Sequence, residues 1–487
     1  MDKGFIKSFL KGSAAASIGQ FASIGFHFLS IMILTRYMPK ADFGIYLLIL
    51  VVVHLLKILS GLGLDLTLVK FIAAGEEKAG KGILGTVLAM RALLLIVLGA
   101  VVLAIGHLLT PLLDARISNY LLFIPLIVFV ASFRELFFFL FQGLKQFKYY
   151  AIVQTLSALF KFGLILAAFW YEQLTIEALL YIEIIAFTIS LVVQIALTPM
   201  RRLGGYAINT ESIRALLQFG LPLYANNILT FLYGRVNVFI IGAFLNPASI
   251  ASFEVAGNIP GGFARIFKSF IVVYFPNLAS LFAEGKLRDA EKVMNKSLGI
   301  CAALLGLLML GAFALREEIM TLIFSENYRE AALAFALLML SFLLHAQANI
   351  MGYSLVSAGH SSVPVKANII SSLINLALSL VLIPRYGYIG AVYAVIVMNA
   401  VSQVVYLYFL RKNDIHADIA NYLKPLLLAL LLLVPFLMIG QVSIWLRLLL
   451  PLAYVLIAAV ALDDFRQLVS FLLKRNSDKD ISTESAS

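Results

Sequence analysis

The chain has 487 residues, of which 62% are apolar and only 13% are charged, and its mean hydropathy is +0.98. Soluble domains are about half apolar and about one-quarter charged. The composition therefore excludes an ordinary soluble protein and indicates a polytopic membrane protein. The net charge of +11 does not point to a nucleic-acid partner, because the lysines and arginines are distributed according to membrane topology.

Fourteen apolar segments are long enough to cross a bilayer. A hydrocarbon core of ~30 Å needs about 20 helical residues at about 1.5 Å each. In chain order the predicted spans are 13–37, 43–64, 83–109, 118–141, 150–170, 177–199, 215–245, 247–275, 292–315, 329–356, 364–383, 388–410, 421–440 and 444–462. Short turns such as "MPKAD" and "FLNPAS" leave no room between them for a soluble domain. We therefore predict an all-α integral membrane protein of about fourteen transmembrane helices.

The basic residues predict the orientation of these spans. With the N-terminus placed in the cytoplasm, 23 lysines and arginines fall on cytoplasmic segments and 7 on outer turns. Cytoplasmic loops of membrane proteins carry such an excess of positive charge. Both termini are accordingly predicted to be cytoplasmic.

A weak internal repeat divides the chain. The stretch "RYMPKADFGIYLLI" joins spans one and two, and the similar "AFLNPASIASFEVA" joins spans seven and eight. Such repeats are typical of transporters built from two related bundles, although any two membrane hairpins share some similarity. We predict a cytoplasmic N-terminus (1–12), two pseudo-symmetric six-helix bundles (13–199 and 215–410), a cytoplasmic linker (200–214), two C-terminal helices (421–462) and a disordered tail (474–487).

Ionisable residues within the spans point to the function. An ionisable group at the centre of a membrane helix costs at least ~2.5–3.5 kcal/mol, so it normally faces protein or a wet cavity. The basic residues within spans are Lys57, Arg91, Arg134, Lys161, Arg235, Arg265 and Lys268, and the acidic ones are Glu135, Glu183 and Glu254, with Asp65 at a boundary. Arg134 is open to pairing with Glu135 or a neighbouring acid, and Arg265 and Lys268 are close enough to the cytoplasm to snorkel. The surplus of cations nevertheless indicates an anionic cargo.

Four stretches carry a resemblance to a known family. They are "LTRYMPKADFGIY", "LPLYANNILTFLYGRVNVFIIGAFLNP", "FPNLASLFAEGKLRDA" and "IPRYGYIGAVYAVIV". In this order they resemble the polysaccharide-transporter branch of the multidrug/oligosaccharidyl-lipid/polysaccharide exporter superfamily. The resemblance implies two bundles that open alternately and move an undecaprenyl-pyrophosphate-linked oligosaccharide, such as an O-antigen repeat unit, across the inner (cytoplasmic) membrane. Many relatives have an acid two residues after the arginine of span seven, whereas this chain has Asn237.

The basic residues within spans are suited to binding a pyrophosphate group. Arginine offers a planar fork to two phosphate oxygens, and lysine offers a compact charge. The predicted pyrophosphate-binding residues are Arg235 and Lys161 near mid-membrane, with Lys57 and Arg91 in the cytoplasmic half. Candidate sugar-binding residues on span seven are Asn226, Asn227, Tyr233 and Asn237, which are equally suited to hydrogen bonds between helices. The candidate ion-coupling carboxylates are Asp65, Glu183 and Glu254.

No catalytic motif is present in the sequence. There is no "GxxxxGK[ST]" phosphate-binding loop and no metal-ligand spacing of histidines, so we predict a transporter rather than an enzyme, without a cofactor or metal. The predicted partners are the lipid-linked glycan, the bilayer and polysaccharide polymerase or glycosyltransferase machinery. Three alternatives stay open: a lipid II-type flippase, a multidrug/cation antiporter of the same superfamily, and a membrane glycosyltransferase or ligase. An antiporter would be expected to have acidic residues in its cavity, whereas basic residues are in excess here. A ligase would be expected to have long outer loops, whereas the outer turns here are short.

Overall fold

The computed structural model describes residues 3–74, 82–109, 114–198, 208, 211–438, 443–463 and 465–467. Side chains are described from residue 19 onward, without those of 74, 109, 211, 226 and 435–438. The described residues form α-helices and short 3-10 helices and contain no β-strand. Contacts divide the chain into two compact units, Met1–Ala251 (unit 1) and Ser252–Ser487 (unit 2).

Unit 1 contains eight helices within the described residues and the start of a ninth. They are α1 (Lys3–Tyr37), α2 (Lys40–Leu59), α3 (Leu64–Ala74), α4 (Ile83–Leu109), α5 (Phe123–Gly143), α6 (Phe147–Trp170), α7 (Ile176–Leu197) and α8 (Glu211–Phe244). Helix α1 packs on α6, α5 packs on α3 and α7, and α8 packs on α2 and α3. This packing brings charged side chains of α2 and α5, of α3 and α4, and of α6 and α7 into pairs.

Unit 2 begins within α9 and, counting α9, contains eight α-helices among the described residues. They are α9 (Pro247–Ala283), α10 (Leu287–Ala314), α11 (Arg316–Ile323), α12 (Ala332–Ser357), α13 (Ser362–Tyr386), α14 (Tyr388–Lys412), α15 (Ile419–Met438) and α16 (Ile444–Ala461). Helix α14 packs on α12 and α13, while α10 packs on α12, α15 and α16.

Local sequence explains where several helices begin. The Thr175 hydroxyl accepts a hydrogen bond from the backbone N–H of Ala178 and caps α7. Asn246 accepts from the backbone N–H of Ser249, and Pro247 occupies the first turn of α9. Both arrangements satisfy the free N–H groups of a helix start, and proline fits there because it lacks one. The "FLNPAS" stretch therefore ends α8 and begins α9.

Each of the fourteen predicted spans overlaps a helix of the described residues. Twelve helices within the described residues are long and apolar enough to cross a membrane, and the chain is a multi-pass membrane protein. The exact count of fourteen is not confirmed, because α1 and α15 are not among the twelve, and α15 contains only a shorter apolar segment, Ile419–Val434. The predicted bundle boundaries stay predictions. Most of the predicted linker (200–214) and all of the predicted tail (474–487) lie outside the described residues.

Two glycines allow close packing within unit 1. Gly63 has φ +72° and lies against the backbone of Gly220 on α8, where a Cβ atom would overlap the carbonyl group. Gly44 on α2 makes a similarly close approach to the backbone of Pro247. Only glycine fits such positions, so these two residues hold α2 and the α2–α3 turn close to α8 and the start of α9.

The two C-terminal helices are attached to α10 and α11. The Tyr454 hydroxyl on α16 donates to the backbone oxygen of Ala303 at 3.1 Å. Arg447 forms a 2.5 Å ion pair with Glu318 on α11. Helices α15 and α16 are therefore an integral part of unit 2.

Candidate functional site

The acidic residues within the spans of unit 1 are paired with basic ones. Lys57 Nζ on α2 lies 2.5 Å from Glu135 Oε2 on α5. Arg91 on α4 lies 2.6 Å from Asp65 Oδ1 on α3. Sequence reasoning left Arg134 open to pairing with Glu135, but the partner of Glu135 is Lys57. Since a buried charge is costly when single, these pairs stabilise the helix packing as well as the charges.

A third pair lies deeper in unit 1. Lys161 Nζ on α6 lies 2.5 Å from Glu183 Oε1 on α7, and the Tyr46 hydroxyl on α2 donates to the same oxygen at 2.5 Å. The Glu183 side chain is only 1% exposed, whereas Lys161 is 21% exposed. The carboxylate is thus held inside the protein, and the ammonium group remains partly open to its surroundings.

Arg235 differs from these residues in its exposure. Its side chain is exposed although it lies nine residues, or ~14 Å, before the end of α8. The electrostatic fields of Arg235, Lys57 and Glu135 all act on His54, whose ring stacks on Phe231 with centroids 5.6 Å apart. Arg235 and the Lys57–Glu135 pair therefore belong to one charged region around His54.

The four pyrophosphate candidates differ in accessibility. Lys57 and Lys161 are each 21% exposed, so their remaining N–H groups can reach a ligand. Arg91 is 1% exposed and can act on a ligand in this conformation only through its charge. A structural role is thus clearest for Arg91, and Arg235 is the most accessible of the four.

The candidate sugar-binding residues differ in burial, and the candidate ion-coupling carboxylates lie in different units. Asn227 and Tyr233 are half-buried, Asn237 is 4% exposed, and the side chain of Asn226 lies outside the described residues. Asp65 and Glu183 lie in unit 1, while Glu254 is half-buried in unit 2. Among the described sugar candidates, Asn227 and Tyr233 are therefore the more accessible, and Asn237 is buried among the helices.

Sequence reasoning missed two residues of this region and one pairing. Tyr46 and His54 had no assigned role, and Glu135 was considered only as a partner of Arg134, although all three contact or surround the predicted cations. Tyr46 and Glu183 are separated by 137 positions, so no local pattern could have joined them. His54 and Lys57 share one face of α2 at a spacing of three residues, which is a signal that the sequence does contain.

Unit 2 has a buried polar network of another kind. The Asn399 amide on α14 donates to the Ser341 hydroxyl on α12 at 2.8 Å. Gln403 donates to Gln347 at 2.8 Å, again between α14 and α12. Uncharged hydrogen bonds of this type join helices in membranes, so these residues support the packing of unit 2.

Comparisons with known proteins agree with this architecture. The model of the family described as "Polysaccharide biosynthesis protein" matches residues 9–282, more than half of the chain. The chain is 23% identical over 200 residues to the probable low-salt glycan biosynthesis flippase Agl15 of Haloferax volcanii, covering 41% of this chain and 42% of that protein. It is 23% identical over 267 residues to the probable flippase AglR of the same organism, covering 53% of each. The matched regions thus span about half or less of these relatives.

Solved structures show the same fold. The inward closed conformation of the lipid II flippase MurJ matches with a TM-score of 0.75 and 15% identity, covering 93% of this chain and 99% of that one. An inward-facing multidrug resistance MATE family transporter matches with a TM-score of 0.67 and 12% identity, covering 83% and 98%. At these identities the likeness concerns the fold alone. The family match shows that this chain belongs to the family described as polysaccharide biosynthesis protein.

Proposed function

We propose that this protein is a flippase that moves a polyprenyl-pyrophosphate-linked oligosaccharide, such as a polysaccharide or O-antigen repeat unit, across the cytoplasmic membrane by alternating access. The observation that carries the proposal is the charge of unit 1. Five of the basic residues that lie within predicted spans belong to unit 1, against two acidic residues within spans and Asp65 at a span boundary. The three acids are each paired with a base, so the region keeps a net positive charge suited to a dianionic pyrophosphate diester.

Arg235 is the proposed principal ligand for the pyrophosphate. It is exposed within the span, and its guanidinium can bind two phosphate oxygens at once. Lys57 and Lys161 then contribute partly exposed ammonium groups, and Arg91 contributes charge. Asn227 and Tyr233 are the proposed sugar contacts, since both are half-buried on the same helix.

The same charge argues against a cation antiporter. A drug/cation antiporter needs accessible acids, whereas Asp65 and Glu183 are both engaged by cations and Glu183 is almost fully buried. Glu183 is the proposed coupling carboxylate of unit 1, because it joins three helices through Tyr46 and Lys161. Loss of a proton gradient therefore provides a direct test of its role.

The function is tested in proteoliposomes. We expect the purified full chain to translocate a fluorescent polyprenyl-pyrophosphate oligosaccharide without ATP, because the sequence contains no phosphate-binding loop. Lipid II and a cationic drug serve as alternative cargoes in matched vesicles. Faster transport of either alternative than of the oligosaccharide, or transport that stops when ATP is withdrawn under constant ion gradients, would contradict the proposal.

The proposed orientation has both termini in the cytoplasm, as the excess of basic residues on one side indicates. Reporter fusions at residues 207 and 480 are expected to give cytoplasmic signals, with a fusion at an outer turn such as residue 246 as the control. An external signal from residue 207 or 480 would overturn the orientation.

The polymerase or glycosyltransferase machinery that supplies and consumes the glycan is a proposed partner on the same grounds as the cargo.

A further inference from the structure

Arg134 is a cation that the site described so far does not use. Its Nε donates to the Ser190 hydroxyl on α7 at 3.3 Å. Its guanidinium lies 4.6 Å from the ring centroid of Phe187 and 5.1 Å from that of Phe138. Within the part of the chain that the structure describes, no carboxylate lies within ion-pair distance of it. Cation–π contacts contribute ~0.5–2 kcal/mol each, but they place no anionic group directly against the guanidinium.

Ser190 also lines a groove between α6 and α7. The groove has a volume of about 280 Å³, and apart from Ser157 and Ser190 its lining is apolar. Leu156, Phe160 and Ile189 expose their side chains along it. It therefore combines a lipid-like wall with a hydroxyl that contacts an arginine, and its volume suits a short chain segment rather than a whole lipid.

The depth of Arg134 restricts which anion can reach it. Arg134 lies nine residues before the end of α5 at Gly143, which corresponds to ~14 Å along the helix. This is close to the middle of a hydrocarbon core of ~30 Å. A phospholipid keeps its phosphate at the membrane surface, whereas a lipid carrier in transit must bring its phosphate to this depth.

We propose that Arg134, Ser190 and the α6–α7 groove form a lateral binding site for a polyprenyl phosphate. The phosphate binds the terminal nitrogens of Arg134 and receives the Ser190 hydroxyl proton as a hydrogen bond, while the first isoprene units occupy the groove. The nearby Glu135 and Glu183 do not oppose the anion, because Lys57 and Lys161 neutralise them. This site deepens the proposed function and rests on it for the identity of the carrier.

Photo-crosslinking of the full chain in nanodiscs tests the site. The probes are polyprenyl phosphate, uncharged polyprenol and phosphatidylglycerol, each carrying the same photoreactive group near its polar end. We expect polyprenyl phosphate to label peptides from the α6–α7 groove, and Arg134→Met to reduce this labelling about tenfold. Arg134→Lys should retain part of the labelling, because it keeps the charge without the fork.

Two groove variants test the site independently of Arg134, in case the Arg134→Met protein does not fold. Ser157→Phe fills the α6–α7 groove without changing the arginine. Ala89→Phe makes a similar change in a second groove of unit 1, which is lined by apolar residues and glycine and runs along α4, α5 and α7. We expect Ser157→Phe to abolish polyprenyl phosphate labelling and Ala89→Phe to leave it unchanged.

The outcomes separate this site from the proposed function. Equal labelling by phosphatidylglycerol, unchanged labelling of both Arg134→Met and Ser157→Phe, or labelling in the second groove would overturn the site. Transport of the oligosaccharide by wild-type protein without groove labelling would also overturn the site and leave the proposed function intact. Groove labelling without any oligosaccharide transport would support the site and refute the proposed cargo.

Discussion

Replacing Arg235 by alanine is expected to lower the transport of lipid-linked oligosaccharide by at least about thirtyfold while the protein still folds and inserts. Removing one partner of a desolvated charge pair costs ~2–5 kcal/mol, and Arg235 is the most exposed of the four proposed pyrophosphate ligands. Arg235→Lys is expected to keep partial activity, because it retains the charge but loses the bidentate fork. Initial rates in proteoliposomes with equal amounts of protein measure both effects.

Arg214→Ala is the matched control for this prediction. Arg214 is an exposed arginine on the same helix, but it lies in the first turn of α8. Its removal subtracts the same charge and should leave the transport rate close to that of the wild type. Wild-type transport by a well-expressed Arg235→Ala protein would refute the proposed ligand. Failure of that variant to accumulate in the membrane would indicate a structural role instead.

Replacing Lys161 by methionine is expected to destabilise unit 1 by ~3–5 kcal/mol. The change leaves Glu183 with a buried charge that has lost its cation, and breaking a buried ion pair from one side has this cost. The double variant Lys161→Met/Glu183→Gln should recover most of the stability, because no charge then remains buried at this position. Size-exclusion chromatography after heating in detergent measures the apparent melting temperature of each protein.

The double variant also separates folding from transport. If Lys161 contacts the pyrophosphate and Glu183 couples transport to protons, both as proposed, the stable double variant should transport the oligosaccharide at least about tenfold more slowly than the wild type. Tyr46→Phe provides the control, since it removes one hydrogen bond to Glu183 and should cost only ~1 kcal/mol. Wild-type transport by the double variant would show that the pair is purely structural.

The sequence by itself determined the class of protein and the positions of its helices. Apolar runs fixed the helices because a bilayer accepts only segments whose backbone polar groups are satisfied internally. The turn "FLNPAS" marked the break between α8 and α9 correctly, since Asn246 and Pro247 act through local backbone geometry. The sequence also showed that basic residues lie within spans. An ionisable residue in a membrane helix is costly, so it can be recognised from the apolar segment around it.

Only the tertiary structure decided which of these charges are buried and which are exposed. Lys57 and Glu135 are 78 positions apart, yet helix packing brings them to 2.5 Å. Arg235 is exposed and Asn237 is buried although they are two residues apart on α8. A helix turns by ~100° per residue, so two residues that are two positions apart face different directions. The packing of the surrounding helices determines which of them is buried. The accessibility of Arg235 and the burial of Arg91 therefore follow from packing between helices, for which the sequence of a single span contains no signal.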